Sequence, residues 1–169
     1  MQSLLEPIGA SAWGGRYNFD GYLVKCATSK SYVQVFRSGS IEAADATLFD
    51  VPEQYKGFIP SIRLEEKMIE AVRRYLEVQN QLSTSLPIFT TVTLLRVRGF
   101  KMSSNPLTPF VGNEKIDREI LPLPEIVVED YSLDPGTLLQ PAFDALWQAC
   151  GIEKSMNYDD NGNWRPHSR

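Results

Sequence analysis

The densest run of cationic side chains is Arg96-Val97-Arg98-Gly99-Phe100-Lys101. Alternate side chains of an extended strand share a face, so a strand here points Arg96 and Arg98 one way and Leu95 and Val97 the other. Joined by Arg37 or Lys25 from neighbouring strands, they form a basic stripe beside aromatic rings, a pattern suited to phosphate groups. The nucleic-acid-binding candidates on this reading are Arg37, Arg96, Arg98 and Lys101. The competing reading pairs the arginines with Glu125, Glu129 or Asp130 across a sheet. A net charge of −4 favours that second reading.

Other constellations are weaker. Glu66 and Glu70 are spaced to share one helical face and, with Glu65, suggest a metal-dependent nuclease site. Lys67, Arg73 and Arg74 beside them make an ordinary solvated face the better reading. Asp159-Asp160-Asn161-Gly162-Asn163 has the residue types of a calcium loop but lacks its ligand spacing and terminal Glu, and reads as a polar turn. The single histidine, His167, is the third residue from the end of the sequence, a poor base for a serine nucleophile. No G-x-S-x-G elbow or phosphate-cradling glycine loop occurs. The expectation is no catalytic centre, no metal and no cofactor.

The elements that must position these residues follow from periodicity. Around the turn signal Asp20-Gly21, residues 22–26 and 32–36 read as short strands joined by a polar hairpin loop. Residues 41–49 are rich in alanine and fit either a short helix or an extension of the sheet. Over residues 62–82, Leu64, Met68, Val72, Tyr75, Leu76 and Leu82 recur at helical spacing, with Ser61 as cap. Glu65 falls with the charged residues on the opposite side, where Glu70–Arg74 and Arg73–Glu77 pairs are expected.

Residues 88–102 read as one long strand, or two with a bend at Gly99. The half up to Leu95 hardly alternates and is expected to be central and covered on both faces. Pro122 and Pro124 push the strand region 116–130 to an edge or a bulge. Asp134-Pro135 opens a second helix that places Trp147 in the core, with Pro141 inside it. Trp13 and Trp164, in glycine-rich surroundings, either pack a tail onto the domain or contact a partner.

The whole is expected to be α+β, a mixed or antiparallel sheet of about five strands packed against two main helices. Residues 1–156 form a single domain and 157–169 a polar C-terminal tail. At 169 residues with 43% apolar and 22% charged side chains, the chain has the means to bury a core. Cys26 and Cys150 lie in apolar runs and fit two buried thiols of a reducing compartment. No signal peptide or membrane-spanning run occurs, so a cytoplasmic, soluble protein without membrane contact is expected.

Several phrases carry a family resemblance. These are Gly15-Arg16-Tyr17-Asn18-Phe19-Asp20-Gly21, Val33-Gln34-Val35-Phe36-Arg37-Ser38-Gly39-Ser40-Ile41-Glu42-Ala43, Ile59-Pro60-Ser61-Ile62, Leu95-Arg96-Val97-Arg98-Gly99-Phe100 and Leu121-Pro122-Leu123-Pro124-Glu125. Over roughly residues 15–165 the chain resembles the region that follows the AlbA-like (Schlafen-type) domain in bacterial DNA-binding or ATP-binding regulators. In those proteins the nucleic-acid or nucleotide role is attributed to the AlbA-like half, which has no counterpart in this chain. The resemblance therefore implies a non-enzymatic accessory or interaction domain, with a protein partner or a second copy of itself. Nucleic-acid binding through the basic strand face is the alternative.

Overall fold

A computed structural model describes residues 5–9, 13–26, 30–103 and 114–165. In chain order its elements are β1 (Trp13–Tyr17), β2 (Gly21–Cys26), β3 (Tyr32–Phe36), β4 (Ile41–Ala44), β5 (Phe58–Pro60) and α1 (Ser61–Gln81). There follow β6 (Ile88–Thr90), β7 (Thr93–Leu95), β8 (Lys101–Ser103), β9 (Ile120–Pro122), β10 (Ile126–Val128) and α2 (Pro135–Gln148). The class is α+β. The strands are distributed over one four-stranded sheet and three two-stranded sheets among the described residues. They form two compact units, one of residues 1–50 and 66–85, the other of 51–65 and 86–169. The boundary falls within α1.

The first unit is organised by the turn at Asn18-Phe19-Asp20-Gly21. Asn18 Oδ1 accepts the Gly21 amide at 2.8 Å, and the Asn18 amide donates to the Gly21 carbonyl at 3.0 Å. Gly21 has φ +151°, and a Cβ there would lie 2.1 Å from the Val35 carbonyl oxygen, so only glycine fits. The chain then winds into an antiparallel meander, β1-β2-β3-β4, with Val24 opposite Val33 and Val33 opposite Ala43. The alanine-rich run from Ile41 is therefore strand: pairing against Val33 and Val35 overrides alanine's helical preference. Asp45 closes the strand by accepting the Thr47 and Leu48 amides at 2.8 and 2.7 Å. The core is Leu5, Val24, Val33 and Val78, flanked by Tyr22, Val35, Ile41, Ala43 and Tyr75. Gln79 of α1 donates to the Gly39 carbonyl at 2.8 Å. Glu70 pairs with Lys67 at 2.8 Å, and Arg74 with Glu6 at 3.4 Å, rather than with each other.

In the second unit β5 and β8 pair in parallel. β6 pairs with β10, and β7 with β9, both antiparallel. Asp134 caps α2 by accepting the Thr137 amide at 3.0 Å, and Pro135 occupies the first turn, where its missing N–H costs nothing. Pro141 lies inside the helix without ending it. Leu139, Ala142, Phe143, Leu146 and Trp147 are all buried, and α2 packs on β10. The stretch after Met156, read as a polar tail, contributes the buried Asn157, and the Tyr158 hydroxyl donates to the Gly136 carbonyl at 2.6 Å.

Candidate functional site

Arg37 belongs to the first unit, and Arg96, Arg98 and Lys101 to the second. Arg37 is exposed, and its Nε donates to the Phe19 carbonyl at 2.8 Å. The expected strand through Arg96 and Arg98 is interrupted. β7 ends at Leu95, Arg96 takes φ +59° in the left-handed region, and Arg98-Gly99 is a turn. The extended backbone that was to align the two arginines is thus absent. Both are exposed; Arg98 lies 3.6 Å from Glu119, while Lys101 is half-buried on β8. None of the anticipated Glu125, Glu129 or Asp130 pairings forms within the chain's described residues. No three metal-ligating side chains converge among them either.

Glu65 departs most sharply from expectation. It is 1% exposed, buried near the start of α1 and not on a solvated face. Its Oε1 accepts the Trp147 indole N–H at 2.8 Å and the Ser155 hydroxyl at 2.9 Å. Its Oε2 accepts the Asn157 amide at 2.9 Å and the Trp164 indole N–H at 2.8 Å. Burial raises the carboxyl pKa, and the four hydrogen bonds pull it back without cancelling the shift. Four neutral donors converge on this carboxyl group, which ties Ser155, Asn157 and Trp164 to α1 as a structural clasp.

The surface that stands out is built from β6, β7, β9 and β10. Phe89 lies opposite Val127, and Leu95 opposite Ile120. Between these registers one strand has two residues, Thr91 and Val92, and the other has three, Leu123, Pro124 and Glu125. The Leu123 amide donates to the Val92 carbonyl at 2.9 Å, so the four short strands form one ribbon with a one-residue bulge at the prolines. Alternation is clean along it. Leu94, Leu121, Leu123, Ile126 and Val128 are buried, whereas Phe89, Leu95, Ile120 and Val127 are 61%, 62%, 59% and 41% exposed. Thr91, Thr93, Pro122 and Pro124 complete the outer face with Glu125.

This face corrects the expectation that the strand up to Leu95 is covered on both sides. Its outward residues are Phe, Thr, Thr and Leu, all strand formers without charge, so composition concealed an ordinary period of two. The recoverable signal was the partner strand, whose proline spacing marks the bulge. Exposed apolar side chains clustered on one face make it the candidate site.

No family model matches the chain, and no curated protein or solved structure matches it. No helix among the described residues is long and apolar enough to cross a membrane.

Proposed function

We propose that this chain is a non-enzymatic interaction domain that binds a protein through the outer face of the β6–β7/β9–β10 ribbon. The observation that carries the reading is the pair of exposed apolar cross-strand contacts, Phe89 with Val127 and Leu95 with Ile120. Burying such side chains gains about 25 cal/mol per Å² of apolar surface removed from water. Of their neighbours on the face, Thr91, Thr93, Pro122 and Pro124 add no charge to desolvate, and Glu125 adds one carboxylate. An accessory role beside an AlbA-like (Schlafen-type) regulator is the setting that the sequence resemblance implies, and the cytoplasm is the compartment in which we place it. Two free, buried cysteines are compatible with a reducing compartment.

The test is retention on the immobilised chain of a binding partner, a second copy of this chain included. Replacing Phe89 and Leu95 by Asp abolishes that retention on this reading. Equal retention by the wild type and the variant contradicts it.

Nucleic-acid binding through Arg37, Arg96, Arg98 and Lys101 has less support, because Arg98 lies beside Glu119 and no strand aligns Arg96 with Arg98. Salt-sensitive binding of single-stranded DNA that weakens in an Arg96→Ala/Arg98→Ala variant would favour it over the interaction domain.

A further inference from the structure

We propose that the occupant of the ribbon's outer face is a second copy of this chain, an inference that rests on reading that face as an interaction surface. The two copies pack face to face about a two-fold axis lying between the ribbons and perpendicular to the strands. Such a contact requires a face that is complementary to itself after its ends are exchanged.

The ribbon meets this requirement in shape. It carries an exposed apolar pair at each end, Phe89/Val127 and Leu95/Ile120, with Thr91, Thr93, Pro122, Pro124 and a single carboxylate, Glu125, between. Exchanging the ends lays Leu95 over the second copy's Phe89 and Ile120 over its Val127.

It also meets the requirement in charge. Arg96 and Arg98 follow Leu95 at one end, where Arg118 is engaged by Asp117 at 2.8 Å and Glu119 lies 3.6 Å from Arg98. At the other end the exposed Glu129 and Asp130 follow β10, and the residues leading into β6, Ser85-Leu86-Pro87, carry no charge. The exchange brings the arginines of each copy to the acidic end of the other. The lateral offset is about one strand spacing, roughly 4.8 Å, within an arginine's reach. Carboxylates that the sequence offers to Arg96 and Arg98 across a sheet are thus supplied across an interface.

The ribbon is roughly 25 Å long and 10 Å wide. Such a face is smaller than the ~800 Å² per partner of a standard interface, so a weak dimer with a dissociation constant of about 0.1 mM is expected.

Sedimentation equilibrium up to about 0.5 mM tests the proposal. The wild type is expected to dimerise, and Arg96→Glu/Arg98→Glu and Glu129→Lys/Asp130→Lys are each expected to be monomeric. An equimolar mixture of the two variants is expected to form a heterodimer at least about tenfold tighter than either homodimer. All four positions are exposed, and matched circular dichroism and urea midpoints verify folding. Variants that dimerise like the wild type, or a mixture that does not associate, overturn the proposal. A monomeric wild type that captures another protein through Phe89 and Leu95 overturns the second copy but leaves the interaction reading standing. A monomer that captures nothing overturns both.

Discussion

Glu65 shows how far one side chain can depart from its pattern. Counted with the charged residues of α1, it nonetheless sits three before Met68 and four before Ile69, on the edge of the buried stripe, whereas Glu66 points away and is exposed. Its four donors come from Trp147, Ser155, Asn157 and Trp164, more than eighty positions away. Local periodicity puts Glu65 beside the buried stripe but does not say which distant donors meet it there. Removing the acceptor leaves buried donors unsatisfied, so Glu65→Ala is expected to cost about 3–5 kcal/mol of unfolding free energy. Trp164→Phe removes one bond and is expected to cost about 1–2 kcal/mol. Urea denaturation of both variants measures these losses; a Glu65→Ala midpoint equal to wild type would show that the clasp stabilises nothing.

The same carboxyl sets a pH dependence. Burial raises its pKa above the usual 4.5. The folded protein therefore keeps a proton on Glu65 at pH values where the unfolded chain has released it. The stability this group contributes is fully present below the unfolded pKa and is lost as pH rises through the folded one. The unfolding free energy of wild type minus that of Glu65→Gln is expected to shrink as pH rises from about 4. A difference that grows as pH rises contradicts the sign of the shift.

At the scale of elements, α1 and α2 were legible because their apolar stripes are long and Asp134 caps α2. Ser61, expected as a cap, is the first residue of α1, and its hydroxyl accepts the Asn157 side-chain amide at 3.3 Å. The ribbon was legible only in part. Pro122 and Pro124 marked an irregularity, but Thr91 and Thr93 gave the facing strand no polar charges to reveal its outer side. The break after Leu95 was also hidden, since Arg96 adopts a positive φ that its residue type does not advertise. The two faces of β7 are expected to respond oppositely to truncation. Leu94→Ala, at a buried position, is expected to cost about 2–4 kcal/mol, and Leu95→Ala, on the exposed face, less than about 0.5 kcal/mol. Thermal or urea unfolding decides this, and comparable losses at both positions would contradict the orientation of the ribbon.

At the scale of the whole molecule, composition sufficed for a buried core and the periodicities for the α+β class. The two units were not legible. Their boundary lies inside a helix, and each unit is assembled from separate chain segments, so no linker announces it. The functional argument likewise rests on a surface that exists only after folding. Phe89 and Val127, far apart in sequence, become neighbours, as do Leu95 and Ile120, with Arg96 and Arg98 at one end beside Asp117 and Glu119, and Glu129 and Asp130 at the other. The most direct test is to follow backbone amide resonances of the wild-type chain on dilution from about 0.5 mM to about 20 μM. The account predicts concentration-dependent shifts concentrated in residues 88–98 and 118–130. Shifts confined to β1–β4, or spectra that do not change with concentration, would contradict it.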